Sequence, residues 1–141
     1  MSQERIVQVV NSSGLKETAI DRLARSRSVR LTTFRKDGTP VATPVGGVVD
    51  NGTLYVLSYA NTGKLKRLRN NPKVIVAPCD SAGVSPRDAQ PLDGIGRILD
   101  REETEHAYRL MARKTVLARL MKAWYTIRRT QEPWVGIEVT L

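Results

Sequence analysis

Two tight-turn signals, Asp37-Gly38 and Asn51-Gly52, divide the first half of the chain into short segments rich in β-branched residues. Dipeptides of this kind adopt the positive backbone φ angles that hairpin turns require, so they join neighbouring antiparallel strands. The segments that they bound are Val29 to Arg35, Pro40 to Val49 and Thr53 to Tyr59. This spacing predicts a three-stranded antiparallel meander.

The rest of the chain predicts more strands, mixed with helices. β-forming residues return in three later segments, at 73–79, 91–100 and 134–141. Apolar residues recur at helical spacing in 15–25, in 101–129 and in a short stretch that ends at Pro72. We therefore expect a mainly β fold with helices (α+β), a small barrel of about six antiparallel strands with helices over its openings. Residues 1–141 are expected to form one domain.

The chain carries a formal net charge of +9 over 141 residues. Such an excess of cations favours a polyanionic partner, whether nucleic acid, a membrane surface or an acidic small molecule. Nucleic acid is disfavoured because aromatic residues make up only 5% of the chain and no base-stacking motif is present. The sequence shows no apolar leader and no apolar run long enough to cross a bilayer, so we expect a soluble cytoplasmic protein without a membrane partner.

Four of the cations lie close together at the front of the short helix, in the stretch from Lys64 to Arg69. Positive charge is disfavoured at a helix N-terminus because the helix dipole is positive at that end. The chain has no acidic residue between Asp50 and Asp80, so no local carboxylate balances these cations. Either they form a solvated basic face or an external anion binds there, and the sequence favours neither strongly.

The residues that lead into this helix favour the anion. Asn61 or Thr62 is expected to cap the helix through a side-chain oxygen, and Gly63 lets another group approach the backbone. Free N–H groups in the first turn then form an anion site, with Lys64 and Arg67 on one helix face. The pattern makes an anion site at this turn as strong an interpretation as a solvated basic face.

The segment from Thr39 to Gly47 contains two prolines and a pair of glycines. A strand with hydrogen-bonded neighbours on both sides tolerates neither residue well, so part of this backbone is expected to lack a partner on one side. A flat ligand could lie along it. An ordinary edge strand protected by proline explains the same residues.

Side chains for conventional catalysis are few. His106 is the only histidine and Cys79 the only cysteine, which leaves little for a metal cluster, a catalytic triad or a disulfide. A chain with a phosphate-like site and no evident nucleophile is either a binding module or an enzyme whose chemistry is supplied by a cofactor. No catalytic residue is assigned. If a side chain donates a proton, Tyr59 and Tyr125 are the candidates, with solvent as the alternative.

The order of motifs resembles the pyridoxamine 5'-phosphate oxidase-like superfamily of split β-barrels that bind flavin mononucleotide (FMN) or the deazaflavin coenzyme F420. The resemblance rests on Leu31-Thr-Thr-Phe-Arg-Lys-Asp-Gly-Thr-Pro, Thr43-Pro-Val, Leu54-Tyr-Val, Thr62-Gly-Lys-Leu-Lys-Arg-Leu and Asn70-Asn-Pro-Lys-Val. More narrowly, the chain resembles the actinobacterial F420-dependent branch in Lys64-Leu-Lys-Arg-Leu-Arg-Asn-Asn-Pro-Lys-Val, followed by Ala77-Pro-Cys-Asp and Leu92-Asp-Gly-Ile-Gly-Arg.

The resemblance implies a homodimeric oxidoreductase with the cofactor in a groove between subunits. A hydride would pass from reduced F420 to an electrophilic small molecule. Alternatives are an FMN enzyme of the same fold, a non-catalytic F420 carrier and, remotely, a nucleic-acid-binding protein. The implied cofactor-binding residues are Thr43, Pro44 and Val45 against the ring, Tyr59, Ala60 and Asn61 leading to the phosphate loop, Thr62, Gly63 and Lys64 on the phosphate, Arg67 as a second contact, and Trp124 and Tyr125 closing the pocket.

Two departures limit what the resemblance implies. Pyridoxamine phosphate oxidases carry an arginine near the position of Thr43 and an Arg/His substrate motif near the C-terminus, and this chain has neither. Oxidation of vitamin B6 is therefore not expected.

Overall fold

The computed structural model describes residues 19–26, 28–60, 62–114 and 134–141, and their secondary structure is that of a barrel with helices. Residues 19–25 are helical (α1). The other elements are β1 (Ser28–Phe34), β2 (Pro40–Asp50), β3 (Thr53–Tyr59), α2 (Gly63–Asn70), β4 (Lys73–Cys79), β5 (Leu92–Ile98), α3 (Arg101–Lys114) and β6 (Trp134–Thr140).

The six strands close into one antiparallel barrel in the order β1-β2-β3-β6-β5-β4. This confirms the predicted α+β fold with about six strands. Both hairpin turns also form: Gly38 has φ 89°, while Asn51 and Gly52 have φ 49° and 77°. Those positive angles explain why the turn dipeptides could be recognised in the sequence.

Alternate residues of β1, β3, β4 and β6 fill the barrel with branched aliphatic side chains. The fully buried members include Val29, Leu31, Leu54, Val56, Val74, Val76, Ile137 and Val139. Helix α2 seats Leu65 and Leu68 in the same cluster. Burial of each leucine stabilises the fold by roughly 1.5–3 kcal/mol, which fixes the helix over the barrel end.

Helix α3 covers the outer face of β3 and β6. Its residues Ala107, Tyr108 and Met111 pack with Leu57 and Leu99 in a second apolar cluster. The helix predicted over 101–129 is thus observed from 101 to 114, and the remainder lies outside the described residues. No helix among the described residues is long and apolar enough to cross a membrane.

Strand β2 changes partner along its length, as its prolines and glycines predict. Residues 40–45 pair with β1, whereas residues 46–50 pair with β3. Among the described strands, the first half of β2 therefore has no neighbour on its β3 side. The barrel opens into a split where Gly46 and Leu57 make the last pair between β2 and β3.

Candidate functional site

The helix α2 begins at the mouth of this split with uncapped backbone N–H groups. Thr62 occupies the N-cap position in an extended conformation, but its side chain makes no capping hydrogen bond. Its hydroxyl donates instead to the Tyr59 carbonyl at 3.2 Å and lies 3.2 Å from the Ser58 hydroxyl. The predicted side-chain cap by Thr62 is therefore wrong, because this hydroxyl fastens the loop to β3. Asn61, the other predicted cap, lies outside the described residues.

Arg67 folds back across the first turn of α2. Its Nε donates to the fully buried Thr33 Oγ1 at 2.6 Å. A Cβ built on Gly63 would lie 2.6 Å from Nη1 of Arg67, so a side chain at this position would force the guanidinium to move. Residues four apart share one face of a helix, and Arg67 uses that spacing to bring its charge to the N-terminal end of α2. The Arg67 side chain therefore occupies the space beside Gly63 where another group was expected to approach the backbone.

Lys64 and Arg67 concentrate positive charge at that end. Desolvation and then the neighbouring Arg67 lower the pKa of Lys64, which is half-buried. Desolvation and then Arg35 lower the pKa of Arg67. The direction of both shifts shows that the charged forms are disfavoured without a counterion. We call Lys64, Arg67 and Arg35 the cation triad.

Lys64 and Arg67 form no ion pair with a carboxylate in the part of the chain that the structure describes, whereas Arg35 interacts with the exposed Asp37. The ion pairs there join Arg22 to Asp88, and Arg97 to Glu103 and Glu138. Two cations without carboxylate partners, Lys64 and Arg67, beside free helix N–H groups form a site for an anion such as a phosphate group. A phosphate-bearing cofactor therefore fits the residues present.

Hydroxyl groups line the barrel end beneath the cation triad. Thr33 and Ser58 are buried on inward-facing positions of β1 and β3. Thr43 Oγ1 is also buried and has no hydrogen-bond partner among the described residues. A buried hydroxyl without a partner costs about 1–3 kcal/mol, so a bound ligand that reaches it gains a hydrogen bond.

The three residues predicted to lie against a cofactor ring differ in what they offer. Thr43 has the free hydroxyl, and Pro44 is exposed. Val45 is buried in the core, which leaves only its backbone for a ligand. A Cβ on Gly83 would contact the Pro44 ring at 3.4 Å, so the loop after β4 packs against this strand.

The remaining predicted residues lie at the opposite side of the split or outside the described chain. Tyr59 and Ala60 are exposed at the end of β3. The Tyr59 ring stacks on Trp134 with a centroid distance of 4.4 Å and an interplanar angle of 22°. Trp124 and Tyr125 fall outside the described residues.

Sequence reasoning missed four residues that the fold adds to this region: Thr33, Arg35, Ser58 and Trp134. Thr33 and Ser58 carried one signal, because each continues the inward-facing alternation of its strand as the first polar residue. Arg35 and Trp134 carried none, since their neighbours come from distant parts of the chain.

His106 and Cys79, the remaining residues considered for catalysis, lie on α3 and at the end of β4. His106 is exposed on α3, 6.0 Å from the Tyr55 ring centroid, and both line a cavity of about 300 Å³ with Glu102, Glu103 and Glu138. Burial raises the pKa of the Cys79 thiol, which keeps it neutral. Across the four described segments, no three potential ligands come together to hold a metal ion.

The profile of the pyridoxamine 5'-phosphate oxidase family matches residues 15–135. The chain belongs to this family. The match takes in the barrel from β1 to β5, the cation triad and both sides of the split. A comparison with curated protein sequences found no match to this chain.

Several solved structures have the same fold as this chain, although their sequence identity to it is low. A FAD-binding protein from Mesorhizobium loti is 20% identical, with a TM-score of 0.60 over 88% of this chain and 87% of the other. The heme storage protein HutZ from Vibrio cholerae is 14% identical, with a TM-score of 0.67 over 89% of each chain. A conserved hypothetical protein from Mycobacterium tuberculosis is 20% identical, with a TM-score of 0.63 over 86% and 77%. At these identities the likeness extends to the fold alone.

Proposed function

We propose that the protein is an F420-dependent oxidoreductase of the actinobacterial branch, active as a homodimer with the cofactor groove between subunits. The observation that carries this is the cation triad at an uncapped helix N-terminus, in which Lys64 and Arg67 have no carboxylate partner among the described residues. Membership of a family named for a phosphate-bearing substrate supports a phosphate ligand here. The deazaflavin F420 carries such a phosphate.

Each part of the site has a role in this proposal. Lys64 and Arg67 hold the phosphate with the backbone N–H groups of the first turn, and Thr62 fixes the loop that presents them. The free edge of β2 takes the planar ring, with the Thr43 hydroxyl as a hydrogen-bonding group. Trp124, Tyr125 and Asn61 stay candidates from the sequence.

The surplus of cations favours F420 over FMN. Beyond the clamp, Lys66, Arg69 and Lys73 are exposed along α2 and the start of β4, and no described carboxylate pairs with them. F420 carries an oligoglutamate tail, whereas FMN ends at its phosphate. A basic strip that continues past the phosphate site suits the longer anion.

When bound, the reduced deazaflavin supplies a hydride, and the acceptor takes one proton to complete the reduction. This chain's contribution is to orient the ring, exclude water from the split and hold the phosphate. Solvent, Tyr59 or Tyr125 is the source of the proton. An electrophilic small molecule such as an enone or quinone is the expected acceptor.

Parallel fluorescence titrations of the purified protein with F420 and FMN test the cofactor. We expect tighter binding of F420, with affinity that rises as the glutamate tail lengthens and falls with added salt. Tight FMN binding without a response to F420 would assign the protein to the FMN alternative, which the fold shared with a FAD-binding protein also supports.

Turnover and assembly need their own measurements. Stopped-flow oxidation of bound reduced F420 by a panel of enones and quinones distinguishes an enzyme from a non-catalytic F420 carrier, because a carrier binds F420 and transfers no hydride.

Light scattering coupled to gel filtration measures whether the protein is a dimer in solution. Salt-dependent binding of generic DNA without cofactor binding would favour the nucleic-acid alternative.

A further inference from the structure

Thr33 is a fully buried polar residue on the inner face of β1, and its hydroxyl contacts a charged side chain. Its exposed fraction is 0%, and its neighbours on that face of the strand, Val29 and Leu31, are apolar. The Nε atom of Arg67 donates a hydrogen bond to Thr33 Oγ1 at 2.6 Å. A buried hydroxyl costs free energy unless it has a partner. Arg67 supplies the partner that this hydroxyl requires.

The contact with Thr33 leaves the outer end of the Arg67 guanidinium free. Nε is used on the barrel side, whereas Nη1 lies beside Gly63, where a Cβ would be 2.6 Å away. Nη1 and Nη2 donate to no acceptor among the described residues. These two N–H groups form the planar end of the guanidinium, which can bind two oxygen atoms of one anion at once. The anchored arginine thus presents an open fork at the start of α2.

The anchor is stiff on the strand side. Thr33 pairs with Val41 in the ladder between β1 and β2, and a β-branched side chain has few rotamers on a strand. Arg67 carries a long side chain, which loses rotamer entropy when a ligand immobilises it. A hydrogen bond that restrains this side chain before the ligand arrives lowers the entropic cost of binding. Thr33 can therefore strengthen anion binding without touching the anion.

We propose that Thr33 is a positioning residue for phosphate binding, whose hydroxyl holds Arg67 so that Nη1 and Nη2 meet two oxygen atoms of the phosphate. The inference rests on the proposed function, in which Lys64 and Arg67 hold the cofactor phosphate. Thr33 is buried beneath Arg67 and acts on the phosphate only through it. The preference of the site for a phosphate-bearing cofactor thus depends on a residue of the barrel core.

The anchor is tested first in the ligand-free protein. The Nε–H resonance of Arg67 in ¹⁵N-labelled protein is assigned as the one lost in Arg67→Lys. Thr33→Val keeps the shape of the side chain but removes the acceptor, so this hydrogen should exchange with solvent about 10-fold faster than in wild type. Thr33→Ser keeps a hydroxyl and should restore slow exchange. Equal exchange in wild type and Thr33→Val would overturn the anchor, whichever cofactor the protein binds.

Binding then measures what the anchor contributes. The ligands are the deazaflavin that carries the phosphate but no glutamate tail and the same deazaflavin without the phosphate. Thr33→Val should lose about 10-fold of the preference for the phosphate form while binding the phosphate-free form as wild type does. Thr33→Ser should recover most of this preference. Thr32→Val, the matched change at the next position of β1, lies off the inner face and should keep all of it.

Two results of these titrations would overturn the positioning role. The first is an unchanged preference for the phosphate form in Thr33→Val. The second is an equal loss of affinity for both ligands, which would show that Thr33 only supports the fold.

A double variant shows whether the effect passes through Arg67. In Arg67→Met the anchor has no guanidinium to hold, so adding Thr33→Val should not weaken binding of the phosphate form further. An additional loss in the double variant would mean that Thr33 acts on the ligand by another route, and would overturn the proposal.

Failure of the proposed function gives a different pattern. If the wild type binds FMN and not the deazaflavin, the F420 assignment is wrong, and the same comparison of variants with FMN and riboflavin decides the role of Thr33. If the wild type prefers the phosphate form of neither pair, Arg67 holds no phosphate and both proposals are wrong.

Discussion

Arg67 and Arg97 show how differently one residue type is used in two regions of this barrel. Arg97 contacts two carboxylates, with Nη2 2.6 Å from Glu103 and 3.2 Å from Glu138, and these hydrogen bonds raise its pKa. Arg67 has one neutral partner, Thr33, and burial and Arg35 lower its pKa. The charges around Arg97 are balanced within the fold, whereas the lowered pKa of Arg67 marks its region as a candidate ligand site.

The largest effect on F420 binding is expected from replacing Arg67, the arginine without a carboxylate partner. Arg67→Met removes one charged contact to the phosphate, so the Kd of F420 should rise about 10- to 100-fold. Arg97→Met, the matched change in the balanced region, should leave the Kd unchanged. Fluorescence titration of both variants measures the difference, and similar losses in the two would contradict the contrast.

A smaller effect is expected from crowding the same guanidinium. Gly63→Ala adds a Cβ at the position now 2.6 Å from Arg67 Nη1, and the Kd of F420 should rise about 10-fold as the guanidinium is displaced. Calorimetric titration of Gly63→Ala, Arg67→Met and the double variant isolates the coupling. The double variant should bind no more weakly than Arg67→Met. Additive losses would mean that Gly63 acts independently of Arg67.

The pH dependence of F420 binding tests whether the positive charge of Lys64 is disfavoured in the free protein. Because burial and Arg67 lower the pKa of Lys64, this lysine loses its proton at a lower pH than an ordinary lysine. Affinity for F420 should therefore fall as pH rises through that lowered pKa, and Lys64→Gln should remove this part of the pH profile. A wild-type profile that stays flat until the ordinary lysine range would contradict the shift.

The pH dependence of stability has the opposite sign in the ligand-free protein. Between the lowered pKa of folded Lys64 and its ordinary value, the unfolded chain binds more protons than the folded chain, so stability rises with pH. Lys114 contributes in the same direction, because burial lowers its pKa as well. Urea unfolding of wild type and Lys64→Gln is measured across this pH window, and the free energy of unfolding should rise less steeply with pH in the variant. Identical slopes would contradict the lowered pKa of Lys64.

The smallest effect is expected in the balanced region. Glu138→Gln removes one of two carboxylates from an arginine whose side chain is half exposed, so the unfolding temperature should fall only slightly and less at high salt. F420 binding should not change. Thermal unfolding at low and high salt measures this, and a large fall would show that the network does more than balance charge.

The sequence predicted the barrel because its determining signals are local. The turns at Gly38 and Gly52 need positive φ angles, and the alternation of β1 and β3 marks their inner faces. The two halves of β2 could be foreseen because prolines and glycines disturb strand pairing. The basic turn at Lys64 was also visible, since it depends on neighbouring residues.

The finer geometry of the site could not be predicted because it depends on distant contacts. Arg67 reaches Thr33 across the barrel end, and no local pattern joins those two positions. The hydroxyl of Thr62 fits the pattern of a helix cap, but the nearby Tyr59 carbonyl and Ser58 hydroxyl engage it instead. The Tyr59–Trp134 stack likewise requires β3 and β6 to become neighbours.

One thermodynamic cycle tests most directly that the turn at Lys64 binds a phosphate. The Kd values of the deazaflavin that carries the phosphate but no glutamate tail, and of the same deazaflavin without the phosphate, are measured for wild type, Lys64→Ala and, as a matched control on the exposed side of α2, Lys66→Ala. Wild type and Lys66→Ala should prefer the phosphate-bearing form, and Lys64→Ala should lose about 10-fold or more of that preference while binding the phosphate-free ring as wild type does. An unchanged preference in Lys64→Ala, or an equal loss of affinity for both ligands, would contradict the phosphate site.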